Sequence, residues 1–81
     1  MVAKVRASLL CQNGDELRVW LSNISDGGCA VELPNGHRLQ PGEWAGIELP
    51  GYAIIRCQVR WQDEDALGLR FAQPIPLHWI D

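Results

Sequence analysis

The sequence predicts an all-β protein, a single six-stranded antiparallel β-barrel, and three observations support this fold class. Apolar and polar residues alternate along several short segments, which is typical of strands with one buried face. No window of helical length carries a continuous apolar stripe with i, i+3, i+4 spacing. Turn-forming residues separate the segments: Asn13-Gly14, Asp26-Gly27-Gly28, Asn35-Gly36, Pro41-Gly42, Pro50-Gly51 and Asp63-Glu64-Asp65. Closing six such strands into a barrel leaves no sheet edge exposed.

The first two strands follow from alternation on either side of Asn13-Gly14. In the first strand, the side chains predicted to point inward are Ala3, Val5, Ala7, Leu9 and Cys11, and those predicted to point outward are Lys4, Arg6 and Ser8. In the second strand, the inward set is Leu17, Val19 and Leu21, and the outward set is Arg18, Trp20 and Ser22. Because Asn-Gly favours a two-residue hairpin turn, these strands should pair with each other.

The later strands show the same period of two. The inner face of the fourth segment is predicted to be Ala45, Ile47 and Leu49. The inner face of the fifth is predicted to be Ile55, Cys57, Val59 and Trp61, opposite Ile54, Arg56, Gln58 and Arg60. The last strand points Leu67, Leu69 and Phe71 inward and Arg70 outward. Each of these strands therefore has one buried face and one wet face.

The chain is expected to form one domain, 1–81, because 81 residues leave no room for a second. An apolar tail follows the last strand, Ile75-Pro76-Leu77-His78-Trp79-Ile80, and we expect it to pack over one mouth of the barrel.

The net charge of −3 lacks the cationic surplus that DNA or RNA binding requires. The apolar runs are too short for membrane insertion, and no signal peptide is visible, so a cytoplasmic location is expected.

The cysteine and histidine pattern predicts neither a metal site nor a cofactor site. Cys11, Cys29 and Cys57 form no CxxC pair and are too widely spaced for a zinc motif, so each is interpreted as a small buried apolar residue. Neither histidine stands near a plausible nucleophile. The sequence therefore predicts a protein that is not an enzyme.

The polar stretch Asn23-Ile24-Ser25-Asp26-Gly27-Gly28 permits two interpretations. Its short polar side chains and glycines can simply hold a turn between strands. They can also bind a planar polar group such as guanine. The edge of such a group needs hydrogen-bond donors and acceptors, and glycines let it lie close to the backbone. Trp20 on the outer face is either packed under a loop or the C-terminal tail, or part of a contact surface. Arg56 and Arg60, with Arg18 and Arg70 as candidate neighbours, are either solvated charges or an anion-facing stripe.

The spacing Asn23-x-Ser25-x-x-Gly28 matches the [D/N]-x-S-x-x-G motif of the PilZ domains, small six-stranded barrels of bacteria that bind cyclic di-GMP. Further segments resemble the later strands of that family in order and spacing: Leu39-Gln40-Pro41-Gly42-Glu43, Leu49-Pro50-Gly51, Val59-Arg60-Trp61 and Gly68-Leu69-Arg70-Phe71. The resemblance extends roughly from Ala3 to Pro74. It implies a PilZ-like barrel that acts as a binding module.

The resemblance also implies a ligand site for cyclic di-GMP. Asn23, Ser25 and Gly28 would bind the nucleotide, and Arg6, Arg18 or Arg70 would help with its phosphates. Nucleotide-binding members carry R-x-x-x-R just before the first strand, and that motif is not evident here. The leading hypothesis is therefore a receptor module with a weakened site. The alternatives are a degenerate adaptor for a protein partner, in motility or pilus control, and a purely structural barrel within a larger assembly.

Overall fold

The computed structural model describes residues 5–34, 36–51 and 53–74. Its six strands are β1 Val5–Cys11, β2 Glu16–Ile24, β3 Gly28–Glu32, β4 Trp44–Glu48, β5 Ile54–Asp63 and β6 Ala66–Phe71. They form a closed antiparallel barrel in the order β1-β2-β3-β6-β5-β4. The all-β, six-stranded barrel predicted from the sequence is thus confirmed. Within the described ranges there is no helix long and apolar enough to cross a membrane.

Alternation along the strands fills the barrel. The predicted inward side chains that are buried are Ala7, Leu9, Leu17, Val19, Leu21, Ala45, Ile47, Leu49, Ile55, Cys57, Val59, Leu67, Leu69 and Phe71. Val5 and Cys11 are half-buried and pack against this core. Burial of a Val, Leu, Ile or Phe side chain contributes about 1.5–3 kcal/mol, so these residues hold the barrel together. The predicted positions of Ala3, Lys4, Asn35 and the apolar tail lie outside the described residues.

The hairpin predicted at Asn13-Gly14 joins β1 to β2, but its loop is longer than two residues. Positions 12–15 separate the strands. The Asn13 side-chain oxygen accepts a hydrogen bond from the Asp15 backbone N–H at 2.9 Å, and the Cys11 N–H donates to the Asp15 carbonyl at 2.7 Å. Gly14 has φ 98°, a conformation that glycine adopts without strain. A side chain therefore closes this loop, which the Asn-Gly signal alone does not reveal.

The predicted inward position of Trp61 is wrong. Trp61 is 47% exposed, because β5 contains a β-bulge that breaks its alternation. Val59 pairs with Leu69 and Trp61 with the next residue, Gly68, so Arg60 is the extra residue. The bulge moves Trp61 to the outer face and turns Gln62 inward instead. There the Gln62 side chain accepts a hydrogen bond from the Leu39 N–H at 2.7 Å, which secures the loop before β4.

A second bulge interrupts β2. Leu21 pairs with Val31, whereas Asn23 pairs with Ala30, which leaves Ser22 as the extra residue. The Ser22 hydroxyl donates a hydrogen bond to the Ala30 carbonyl at 3.3 Å. Since a shift of one residue moves every later side chain to the opposite face, Asn23 lies outside the barrel. Ile24 packs against the core.

All three cysteines are free thiols. Cys29 and Cys57 are buried, as predicted, and burial raises the pKa of each thiol to about 12. Cys11 is only half-buried at the end of β1, and its pKa is raised chiefly by burial and then by the nearby Asp15 carboxylate. Because the thiolate is the reactive form, burial makes Cys29 and Cys57 unreactive at neutral pH.

Candidate ligand site

A shallow depression crosses the outer face of β2, β3, β6 and β5. One transverse row of paired residues runs through it: Asn23, Ala30, Gly68 and Trp61. Its volume is about 260 Å³, and its lining also contains Ser25, Gly28 and Arg60. We call it the polar depression. Both ends of the row follow a bulge, so the two register shifts create this site.

Glycines make the floor of the polar depression. A Cβ atom on Gly68 would overlap the Trp61 indole, whose ring lies directly on the glycine backbone. A Cβ atom on Gly28 would overlap the Leu69 carbonyl oxygen, because β3 and β6 approach closely at that point. Neither glycine has positive φ, so steric room rather than backbone conformation requires it. Gly68 therefore lets the Trp61 ring lie flat against β6, and Gly28 lets β3 approach β6.

The segment Asn23–Gly28 closes the β2–β3 hairpin and also faces the depression. The Ser25 N–H donates to the Gly28 carbonyl at 2.9 Å, and the Ser25 hydroxyl donates to the same oxygen at 3.4 Å. The Gly27 carbonyl accepts from the Phe71 N–H at 2.9 Å, which ties the turn to β6. The exposed Asn23 amide has no hydrogen bond to another described residue. Ser25 thus serves the turn, while Asn23 has both its donor and its acceptor available.

Trp61 and Arg60 line the polar depression, although the sequence pattern does not assign them to the site. Arg60 occupies the bulge and is exposed beside the ring of Trp61. Strict alternation places Trp61 inside the barrel, so the sequence pattern does not show that it lines the depression. Of the described residues that line the polar depression, Arg60 is the one cation and none is a carboxylate. This lining suits a ligand that combines an aromatic ring with negative charge.

The three arginines proposed from the sequence lie in two places. Arg70 pairs with Gly28 on the outer face of β6, at the margin of the polar depression. Arg6 and Arg18 instead line another depression, of about 310 Å³, together with Ser8 and Glu48. The Arg6 guanidinium lies 5.0 Å from the centre of the Trp20 ring.

The structure therefore brings Asn23, Ser25 and Gly28 together with Arg70 near them. It does not bring Arg6 and Arg18 into that cavity. The stripe suggested for Arg56 and Arg60 is also divided. The Arg56 guanidinium packs over the Trp44 ring at 4.3 Å, away from Arg60 in the bulge.

Comparison with known proteins agrees with this architecture. The family model for the PilZ domain matches residues 2–78, nearly the whole chain. No curated protein sequence gives a significant match. The match includes all six strands and the polar segment Asn23–Gly28. The chain belongs to the PilZ domain family.

Proposed function

We propose that this chain is a cyclic di-GMP receptor module with a weakened nucleotide site. PilZ domains are binding modules of the cyclic di-GMP type in bacterial signalling, and the family match covers the chain. The proposal assigns the guanine contacts to Asn23, Ser25 and Gly28. It assigns no catalytic step to the chain and includes the cytoplasmic location expected from the sequence.

One observation carries the proposal. The three motif residues line a single depression whose far wall is the half-exposed Trp61. An exposed indole face is a stacking surface for a purine, with about 1–3 kcal/mol per stacked base. The Asn23 amide offers a donor and an acceptor, as does the edge of guanine. These groups supply what one guanine base needs.

Few cationic side chains among the described residues lie near the polar depression to bind the phosphates, and this supports weak binding. Arg60 lines the polar depression and Arg70 lies at its margin. A hydrogen bond to a charged group contributes roughly 1.5–3 kcal/mol. Two further arginines, such as those of an R-x-x-x-R motif, would add about 3–6 kcal/mol, a factor on the order of 10²–10⁴ in affinity. The net charge of −3 mildly opposes an anionic ligand as well.

Titration calorimetry with cyclic di-GMP tests the proposal. The unmodified chain should bind weakly, and a flexible segment carrying R-x-x-x-R grafted ahead of Val2 should tighten binding on the order of 10²-fold or more. Asn23→Ala or Ser25→Ala in the grafted chain should abolish the gain. Arg38→Ala is the matched control, because Arg38 is exposed and donates to the Glu64 carbonyl away from the depression.

Two results would argue against the weakened site. If the unmodified chain bound at micromolar concentration or tighter and lost binding on Arg6→Ala, Arg18→Ala or Arg70→Ala, the arginines already present would hold the phosphates. If the grafted chain did not bind at all, the remaining motif would not be a nucleotide site.

The second of these outcomes would favour the adaptor function, for which one observation speaks independently. Trp20 is 42% exposed on the outer face of β2, with the Arg6 guanidinium stacked on it. Tryptophan and arginine are enriched at protein interfaces and at their energetic centres. As an adaptor, the chain would use this surface to bind a protein partner without nucleotide.

A further inference from the structure

The Trp61 indole offers one ring face to a ligand. Its other face lies on Gly68, where an added Cβ atom would overlap the ring atoms Nε1 and Cε2. The exposed 47% of Trp61 therefore belongs to the opposite face and the rim of the ring. Trp61 is also the one aromatic side chain among the described residues that line the polar depression. One exposed ring face stacks one base, and a second base finds no such surface in this lining.

The size of the polar depression also fits a single nucleotide unit. Pockets that enclose a drug-sized ligand measure about 300–1,000 Å³. The polar depression, at about 260 Å³, lies just below that range. A cyclic dinucleotide contains two bases, two sugars and two phosphates, whereas a mononucleotide contains one of each. The depression is therefore large enough for one unit and too small for two.

Two arginines beside the depression have no partner among the described residues. Arg60 and Arg70 are exposed, and neither guanidinium has a hydrogen bond, ion pair or ring contact there. By contrast, the Arg6 and Arg56 guanidinium groups lie over tryptophan rings, and that of Arg38 donates to a carbonyl. Arg60 and Arg70 are therefore available to an anionic ligand.

The strand register places Arg60 and Arg70 near each other. Arg70 pairs with Gln58, and Arg60 lies two residues beyond Gln58 on the outer face of β5. Diagonal neighbours of this kind on antiparallel strands are about 7–8 Å apart. Because both side chains are long, their guanidinium groups can reach one phosphate group beside Trp61. No carboxylate among the described lining residues competes with that phosphate.

We propose that the polar depression recognises one guanosine monophosphate unit, with the base on the exposed face of Trp61 and the phosphate between Arg60 and Arg70. This inference rests on the proposed function and narrows its ligand: one half of cyclic di-GMP makes the contacts, and linear 5′-GMP is enough to make them. A terminal phosphate carries about −1.5 to −2 charge at pH 7, more than a single bridging phosphate, which suits two arginines.

Nuclear magnetic resonance titrations of the full chain with cyclic di-GMP, 5′-GMP and guanosine test this inference. Both nucleotides should shift the Trp61 indole N–H and Gly68 amide resonances, with dissociation constants within about tenfold of each other. Guanosine lacks the phosphate and should bind at least about tenfold more weakly than 5′-GMP.

Arginine variants test the phosphate contacts. Arg60→Gln and Arg70→Gln should each weaken the binding of 5′-GMP by a factor on the order of 10–100. Arg38→Gln is the matched control, because it removes the same charge from an exposed arginine away from the depression. Its affinity for 5′-GMP should equal that of the unmodified chain.

Failure of this inference and failure of the proposed function give different results. If cyclic di-GMP bound and 5′-GMP bound more than about tenfold more weakly, one unit would not be enough. The inference would then be wrong while the receptor function stood. Equal affinities of Arg60→Gln and Arg38→Gln for 5′-GMP would also overturn it. If cyclic di-GMP did not bind even to the chain with the grafted R-x-x-x-R, the proposed function would fail, and this inference with it.

Discussion

The polar depression resembles a second hollow, here called the apolar groove, on the outer face of β1, β4 and β5. The apolar groove is lined chiefly by Leu10, Gln12, Trp44, Gly46, Ile54 and Arg56. Each has a glycine floor between two strands and a tryptophan wall, Gly68 with Trp61 and Gly46 with Trp44. In the polar depression the indole lies on its glycine, whereas in the groove Trp44 lies under Arg56 and the Ile54 side chain covers Gly46. The two exposed tryptophans therefore differ in their surroundings rather than in their exposure.

The two regions also differ in register. The row through the apolar groove is regular, and each of its residues faces the side that alternation predicts. The row through the polar depression ends at Asn23 and Trp61, each beyond a bulge. Because bulges re-aim side chains, they are frequent next to functional sites. The irregular region is therefore the better candidate for ligand binding, and three glycine substitutions test how differently the two regions are built.

Gly28→Ala should have the largest effect. The new methyl group would overlap the Leu69 carbonyl, and backbone cannot move aside without separating β3 from β6. We expect a loss of about 2–3 kcal/mol in the free energy of unfolding, near the upper end for overpacking. Urea denaturation followed by circular dichroism measures it. A loss below about 0.5 kcal/mol, typical of a neutral surface change, would mean that the strands are farther apart than described.

Gly68→Ala should have an intermediate effect, because it displaces a side chain. The methyl group would push the Trp61 indole off the floor of the polar depression. We expect about 1–2 kcal/mol of destabilisation and the loss of any cyclic di-GMP affinity gained by the R-x-x-x-R graft. The double variant Gly68→Ala/Trp61→Ala should recover part of the lost stability, which urea denaturation of all three variants measures. Additive effects would show that the ring does not rest on the glycine.

Gly46→Ala should have the smallest effect. The overlap is with the Cγ2 atom of Ile54, which is exposed and can turn toward solvent. We expect less than about 1 kcal/mol of destabilisation and unchanged cyclic di-GMP titrations of the grafted chain. The Ile54 methyl resonances should shift, because the alanine fills the floor of the apolar groove. A loss as large as that of Gly28→Ala would contradict the contrast between a backbone neighbour and a mobile side chain.

Much of the fold could be predicted from the sequence because burial follows alternation wherever the strands are regular. Leu9, Ile47 and Leu69 point inward as the period of two requires. The candidate site was predictable only in part. The spacing of Asn23, Ser25 and Gly28 proposed them as ligand residues, and they line one depression. The position of Trp61 was not predicted, since a bulge changes the face without changing the composition of the strand.

The arginines show another limit of the sequence. Arg6, Arg18 and Arg70 all face outward, as predicted. Alternation does not show which strands are neighbours, so it does not show which of these arginines lie together on the outer surface. That depends on the barrel order, in which β3 lies between β2 and β6. The order brings Arg70 beside Gly28 and keeps Arg6 and Arg18 with Glu48.

The bulge in β5 has a consequence for the gene. Arg60 is an extra residue between two paired positions, so in-frame loss of codon 60 would leave Val59 opposite Leu69 and Trp61 opposite Gly68. Loss of codon 58, two triplets upstream, would instead turn Val59 out of the core and Arg60 into it. The same reasoning applies to codon 22 in β2. Single-codon deletions among relatives should therefore be tolerated at positions 22 and 60 and selected against at the neighbouring core positions.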